Sequence, residues 1–299
     1  MTHAIMIEHL HYRAGKTFVI PDLSLSVPSG AIYGFLGPNG AGKTTTIRLL
    51  LGMLRPRSGT ITVLGQAMLS EAPRVLAQVG FVPEQPHLDP TLTVEETMRF
   101  HAAFFRAWDW TWARELVGAF ALDGRQVFGQ LSKGQKGKLM MLLALAQGPE
   151  LLVLDEPTEG LDPIVRRDLL AALLEYVSQR RATVLISSHL IHELERICDW
   201  VGVMDDGRLV AEVPMEGFKN GIKRLRVAEA PAATRDTPFV VLAREPGSNG
   251  TETWVVRGWQ PSMREYFARE GAALKEIVDL DLEEGFVELL RSARPASQA

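Results

Sequence analysis

The pattern of apolar and polar positions changes twice along the chain. The first segment alternates apolar and polar residues in short runs, AIMIEHLHYR and TFVIPDLSLSVPSG, which is typical of half-buried antiparallel strands. AIYGFLG is then a continuous apolar run that ends in glycine, and TTTIRLLLGML follows with helical periodicity. The sequence therefore predicts a buried strand, a glycine-rich loop and a helix in succession.

The middle of the chain has mostly helical periodicity and then alternates. From about Leu92 to Ala146, the segments VEETMRFHAAFFRAW, ARELVGAFAL and KLMMLLALA predict a helical insertion, with DWTW between the first two helices. LLVLDEP, ATVLISSH and WVGVMDDGRLV predict short strands, with helices over VRRDLLAALLEYVSQ and LIHELERIC between them. This alternation indicates an α/β fold whose mainly parallel sheet is covered on both faces.

The pattern of apolar and polar positions changes again beyond Glu212. IKRLRVAE, PFVVLAR and TETWVVRG predict strands, PSMREYFAREG and LEEGFVELLRS predict helices, and the last residues, ARPASQA, are expected to fray. We expect a large domain over residues 1–214, with a helical subdomain at about 86–147, and a small α+β domain over 215–299. A length of 299 residues agrees with more than one hydrophobic core.

Composition narrows the possible partners. The net charge is −4 and no run of lysine and arginine dominates any segment, so nucleic acid is not an expected partner. The single cysteine, Cys198, excludes an intrachain disulfide and fits a reducing compartment. The start MTHAIMIEHLHYRAGK lacks the apolar run of a signal peptide, and polar residues interrupt the apolar stretch Leu139–Leu154. Any work across a membrane would therefore use the helices of a partner.

The segment GPNGAGKT has the spacing of a phosphate-binding loop, between a predicted buried strand and a predicted helix. Its glycines let backbone N–H groups point at phosphate oxygens, and the following helix adds the positive end of its dipole. Lys43 would bring a formal charge to the β- and γ-phosphates of a nucleotide, and the Thr44 hydroxyl would ligate Mg²⁺. The expected nucleotide-binding residues here are Gly37, Pro38, Asn39, Gly40, Ala41, Gly42, Lys43, Thr44 and Thr45.

LLVLDEP supplies two acids at the carboxyl end of a predicted strand, where parallel sheets bind their ligands. Asp155 would hold Mg²⁺, directly or through water. Glu156 points elsewhere and is the candidate to orient and deprotonate an attacking water. A strand that ends in two acids is common, but together with GPNGAGKT it predicts a nucleotide-hydrolysing site.

These motifs resemble the ATP-binding cassette (ABC) ATPases over about the first two thirds of the chain. LSKGQKGK, Leu131 to Lys138, resembles the family signature, with Lys133 where a glycine is usual. The resemblance implies a P-loop NTPase core with an antiparallel β subdomain and a helical subdomain. It also implies that Ser132, Gly134 and Gln135 complete the nucleotide site of a second ABC ATPase chain in a head-to-tail dimer, whether that chain is identical or only similar.

Four smaller matches occur in the order of the family's motifs. Tyr12 resembles the aromatic residue that stacks on adenine, and Gln85, in FVPEQP, resembles the glutamine that contacts Mg²⁺ and couples the site to the membrane partner. GLDP, with Asp162, resembles the loop by which one subunit touches the other's site. His189 resembles the histidine at the γ-phosphate. The expected catalytic residues are thus Lys43, Gln85, Glu156 and His189.

The resemblance implies an ATPase that powers a separate multi-spanning permease from the inner face of the cell membrane. The combination of FGQLSKGQKGKLMMLLALA and DEPTEGLDP is similar to bacterial exporters of drugs, peptides or lipids. A soluble ABC ATPase that remodels protein complexes, or a nucleotide-gated binding module, are the alternatives. The cluster Trp108, Trp110 and Trp112 either docks the permease or fills a core.

Overall fold

The protein is described by a computed structural model over residues 2–15, 18–231, 237–248 and 250–293. The strands are β1 (His3–Ala14), β2 (Phe18–Pro28), β3 (Ile32–Leu36), β4 (Ser58–Val63), β5 (Gln66–Ala67), β6 (Val79–Val82), β7 (Leu151–Asp155), β8 (Thr183–Ser188), β9 (Trp200–Asp205), β10 (Arg208–Pro214), β11 (Ile222–Ala228), β12 (Val240–Pro246), β13 (Thr251–Arg257) and β14 (Ala273–Asp279). The helices are α1 (Lys43–Leu50), α2 (Met68–Leu76), α3 (Val94–Ala102), α4 (Trp110–Ala119), α5 (Lys133–Ala146), α6 (Pro163–Arg180), α7 (Ile191–Leu194), α8 (Met215–Gly221), α9 (Arg264–Arg269) and α10 (Leu282–Ala293). The end that was expected to fray lies, from residue 294 onward, outside the described residues.

The central sheet has the strand order β10-β9-β3-β8-β7-β6, and its pairs are parallel except for the β9–β10 hairpin. Every residue of β3 and β7 is buried, because helices cover both faces of the sheet. A second sheet, β2-β1-β4-β5, is antiparallel and carries the alternating first segment of the sequence. The predicted α/β fold with an antiparallel β subdomain is confirmed.

Helices α3, α4 and α5 form the predicted helical insertion, and a side chain caps the start of each. Thr93 caps α3 in a reciprocal capping box with Glu96, Asp109 caps α4, and Ser132 caps α5. DWTW was expected between two helices, but the Asp109 cap makes its last three residues the first turn of α4. All three tryptophans are partly buried and pack against the main hydrophobic core.

The carboxy-terminal segment forms a third, antiparallel sheet with the order β12-β13-β11-β14. Trp254 and Phe267 lie in its own hydrophobic cluster, as expected of an accessory unit. The amphipathic helix α10 differs, because its buried residues Phe286 and Leu289 belong to the core that also fills the central sheet. Strand β14 is an element that the sequence patterns did not predict.

One predicted helix is much shorter than its sequence indicates. LIHELERIC has helical periodicity, but the regular helix α7 ends at Leu194 and the backbone continues in turns, with the Cys198 N–H bonded to the Leu194 carbonyl. The segment ends before β9, where the Asp199 carboxylate and backbone N–H both bond to the backbone of Ile32 in β3. Over the described ranges, each helix is too short or too polar to cross a membrane.

Candidate active site

The glycine-rich loop joins the end of β3 to the start of α1, as expected. Gly37 lies so close to β9 that a Cβ atom there would collide with the backbone oxygen of Met204. Gly42 has φ 113°, which lies in the region that glycine adopts without a steric penalty. These two positions therefore need glycine, and they let the loop turn directly from the strand into the helix.

Lys43 is buried at the first position of α1, and its ammonium group bonds to oxygen atoms. Nζ donates a hydrogen bond of 2.6 Å to the Gly37 carbonyl and lies 3.1 Å from Oε1 of Glu156. The side chains of Lys43 and Glu156 are 6% and 7% exposed. Salt screens a buried ion pair only weakly, so each of the two charged side chains is stabilised strongly by the other.

Asp155 and Thr44 meet at the carboxyl end of β7. The Thr44 hydroxyl donates to Oδ1 of Asp155 over 3.2 Å, and the Ser187 hydroxyl donates to the same oxygen over 2.7 Å. Burial raises the pKa of the Asp155 carboxyl, while the Ser187 and Thr44 hydrogen bonds act in the opposite direction. Carboxylate and hydroxyl oxygens are the donors that suit Mg²⁺, so this pair fits the ion.

The Glu156 carboxylate lies between the Lys43 ammonium group and the His189 imidazole. While Oε1 faces Lys43, Oε2 accepts hydrogen bonds of 2.9 Å from Nδ1 and 3.3 Å from the backbone N–H of His189. The backbone of Glu156 has φ 47°, an uncommon conformation for a residue with a side chain, which costs about 1–2 kcal/mol. Its N–H donates to Ser187 over 2.9 Å. Three contacts thus fix the carboxylate, and a fourth fixes the backbone that carries it.

A cavity of about 360 Å³ opens beside this network. Eight of the residues that line it belong to the predicted site, and Phe18, Glu84 and Glu159 were not predicted. Tyr12 packs against a hydrophobic core, and Gln85 is exposed outside the lining. The lining residues are Phe18, Pro38, Asn39, Gly40, Gly42, Lys43, Thr44, Thr45, Glu84, Glu156 and Glu159.

The residues that sequence reasoning missed had weak signals. Glu84 and Gln85 are adjacent in a bend that follows β6 and both are exposed, but only one of them, Glu84, lines the cavity. The sequence alone does not say which of the two would. Phe18 lies across the β1–β2 hairpin from Ala14, two positions beyond the pair of Tyr12 with Ile20. Cross-strand pairs point to the same face, so Tyr12 and Phe18 share a face of the hairpin, although only Tyr12 was predicted.

The signature residues begin α5 and form a local cap. Ser132 and Gln135 bond reciprocally, with distances of 2.9 Å and 3.2 Å. Gly134 faces Val165 of α6, where a Cβ would approach a methyl group to 3.1 Å. Asp162 caps α6 by accepting from two backbone N–H groups at 3.0 Å each. All four lie outside the lining of the 360 Å³ cavity.

A second cavity of about 240 Å³ lies between the start of α5 and the catalytic carboxylates. It shares Glu84, Glu156 and Glu159 with the first cavity, and Lys133 lines its other side. The Lys133 ammonium lies against Gly160, where a Cβ atom would collide with it. The lysine that departs from the family pattern therefore packs over the loop that follows Glu156.

Comparison with known proteins agrees with this geometry. The sequence pattern of the family described as "ABC transporter" matches residues 20–159. The chain is 41% identical over 214 residues to a Nod factor export ATP-binding protein I of Burkholderia orbicola (strain AU 1054), covering 70% of each protein. The chain belongs to the ABC transporter ATP-binding family. It is an ATP-binding, ATP-hydrolysing subunit, as its resemblance implied.

Other proteins similar to this ABC ATPase are also ATP-binding subunits of transporters, and a solved structure has a similar fold. The bacitracin transport ATP-binding protein BcrA of Bacillus licheniformis is 36% identical over 207 residues, which cover 69% of this chain and 68% of the relative. A solved "ATP binding subunit of ABC transporter" superposes with a TM-score of 0.65 at 29% identity, covering 73% of this chain and 92% of that one. Subunits of this family work with transmembrane permease components.

Proposed function

We propose that this ABC ATPase hydrolyses MgATP to drive export through a separate multi-spanning permease, at the inner face of the cell membrane. The observation that carries the hydrolytic part is the network in which Lys43 and His189 hold the Glu156 carboxylate at the edge of the cavity. The export part is supported by relatives that are named for Nod factor export.

Each residue of the network has a distinct task. The loop from Gly37 to Thr44 binds the phosphates through backbone N–H groups, and Lys43 neutralises their charge. Thr44 and Asp155 would hold Mg²⁺, which supplies further charge neutralisation when it is bound. Glu156 accepts a proton from the attacking water, and His189 keeps its carboxylate in place.

A second ABC ATPase chain completes the site in this proposal. The Ser132 hydroxyl and the backbone N–H groups at the start of α5, with Gly134 and Gln135, form a positive pole suited to a γ-phosphate. They lie outside their own chain's cavity, which supports a role at the partner's nucleotide. Asp162 caps α6 and accepts from the backbone N–H of Val165, whose side chain packs against Gly134.

Purification from membranes tests the proposed function. A tagged chain is extracted in mild detergent with the non-hydrolysable analogue AMP-PNP and Mg²⁺, and the bound proteins are identified. We expect a multi-spanning protein in a fixed ratio with the ATPase. Recovery of soluble proteins alone would instead support the remodelling ATPase. Vesicles that contain the purified complex then give the direction of transport from the side on which substrate accumulates.

Glu84, rather than Gln85, is expected to affect hydrolysis. Both side chains are exposed, but Glu84 lines both cavities beside Glu156 and Gln85 lines neither. We predict that Glu84→Ala lowers ATP turnover roughly 10-fold, the scale seen when a group that orients a metal site is removed. Gln85→Ala is the matched control, with turnover within about twofold. The reverse order of effects in steady-state phosphate release would return this role to Gln85.

An exposed aromatic pair is the proposed contact with the permease. Phe100 and Phe104, at the end of α3, are 58% and 69% exposed, and their ring centroids lie 5.2 Å apart. Since the three tryptophans pack against the core, the phenylalanines are the aromatics that the helical insertion leaves open. Exposed aromatics of this kind are frequent anchors of protein interfaces.

We predict that Phe100→Ala with Phe104→Ala lowers permease recovery at least about 10-fold, since anchor residues contribute 2 kcal/mol or more. Basal turnover of the isolated ATPase should not change. Met53→Ala is the control, because Met53 is also 58% exposed but lies next to α1. Equal permease recovery with the double variant and with Met53→Ala would contradict the docking site.

A further inference from the structure

The position of His189 depends on a very short element. His189 lies between the end of β8 and the single turn of α7, and the Ser188 hydroxyl accepts a 2.9 Å hydrogen bond from the backbone of Leu190. A helix of one turn is not stable in isolation, because nucleation fixes several residues for few hydrogen bonds. Tertiary packing must therefore hold α7, and with it the ring that contacts Glu156.

The two apolar residues of α7 are almost completely buried. Ile191 is 5% exposed and Leu194 is 1% exposed. Leu194 rests on the central strand at Gly34, where even a Cβ atom would lie only 3.2 Å from its methyl group. This contact holds α7 on the side that faces the central sheet. The opposite side of the turn is left to be covered by another part of the chain.

That cover comes from the carboxy-terminal segment. Helix α10 contacts α7, and its residues Phe286 and Leu289 lie in the same core cluster as Ile191 and Leu194, with Leu289 fully buried. Helix α8 adds a hydrogen bond, since Lys219 donates over 3.0 Å to the carbonyl of Glu195, the residue that follows α7. Helices α7 and α10 are separated by about 90 residues in the sequence.

We propose that Phe286 and Leu289 are positioning residues for ATP hydrolysis, which act through α7 on His189. Helix α10 holds α7 against Gly34, and α7 holds the imidazole 2.9 Å from the Glu156 carboxylate. Loss of this support lets the ring move away from the carboxylate while the phosphate-binding loop, whose Gly37 packs against Met204 of β9, stays intact. This inference rests on the proposed task of His189 in the catalytic network.

The direct test is a double-mutant cycle on the full chain with Leu289→Ala and His189→Ala. We expect Leu289→Ala to lower kcat roughly 10-fold, since small misplacements of catalytic groups have effects of this size or larger, with the KM for ATP within about twofold. In the His189→Ala background, Leu289→Ala should lower kcat no further, because there is no ring left to position. Nucleotide binding, measured with a fluorescent ATP analogue, should be equal in all four proteins.

Val287→Ala is the matched control, because Val287 lies on the same helix but is 39% exposed. Thermal unfolding is followed for each variant, and if Leu289→Ala does not fold, Phe286→Leu is taken through the same cycle. The inference would be overturned if the double variant lost kcat by the product of the two single effects. It would also be overturned if Leu289→Ala raised the KM without lowering kcat. An unchanged kcat in His189→Ala alone would instead remove the proposed role of His189, and the inference with it.

Discussion

Glu156→Gln should lower ATP turnover by about 10²- to 10⁴-fold, the usual contribution of a general base, while ATP binding is retained. The amide has the same shape as the carboxylate but cannot accept the proton of the attacking water. It also loses the ion pair with Lys43, although the ammonium keeps its 2.6 Å hydrogen bond to Gly37. Single-turnover hydrolysis and equilibrium binding of ATP measure the two effects separately.

Glu159→Gln is the informative control for this variant. Glu159 lines the same cavity and lies close enough to Glu156 and His189 for the three to form one cluster. It has no ion pair with Lys43 among the contacts of the described residues, so we expect turnover within about threefold of the parent, like other losses of a partly exposed charge. A larger loss in Glu159→Gln than in Glu156→Gln would transfer the role of base to Glu159.

Gly37→Ala should abolish detectable ATP binding and destabilise the protein. The added Cβ would collide with the backbone oxygen of Met204 in β9, which cannot rotate away as a side chain could. Overpacking of this kind costs about 1–3 kcal/mol. Displacement of the loop also removes N–H donors from the phosphates, at about 1.5–3 kcal/mol each, or roughly 10- to 100-fold in affinity.

The matched substitution for Gly37→Ala is Gly118→Ala on the surface of α4. Neither glycine has a positive φ, but a Cβ at Gly118 would meet no atom within 4 Å. Alanine favours the helix interior over glycine by about 0.5–1 kcal/mol, so Gly118→Ala should be neutral or stabilising. If close packing against β9 is what requires Gly37, calorimetry should show a lower stability for Gly37→Ala and an equal or higher stability for Gly118→Ala. ATP titration should show a loss of binding in Gly37→Ala alone. Wild-type affinity in Gly37→Ala would refute that requirement.

Contiguous motifs account for the part of the site that could be predicted. A phosphate-binding loop works through its own backbone N–H groups and the helix that follows it, so GPNGAGKT contains nearly all of its chemistry locally. The strand LLVLDEP likewise carries Asp155 and Glu156 to the sheet edge by its own direction. The family followed from the order of these motifs, and comparison with known proteins confirmed it.

The rest of the site depends on packing between distant segments. That Glu84 rather than Gln85, and Phe18 rather than Tyr12, line the cavity depends on how the bend after β6 and the β1–β2 hairpin lie beside the phosphate-binding loop, and the local sequence leaves that open. The regular helix α7 is shorter than LIHELERIC indicates, since it ends at Leu194 and the chain continues in turns until Asp199 bonds to Ile32 of β3. Local propensity is a weak signal where a tertiary contact ends an element.

By itself, the sequence of this ABC ATPase determined the nucleotide chemistry: a phosphate loop, a lysine, two acids and a histidine in their order along the chain. The tertiary structure alone decided that a helix near residue 290 packs behind the turn that carries His189. The physical reason is that backbone-based binding is encoded by neighbouring residues, whereas the burial of an apolar face depends on whichever distant segment covers it.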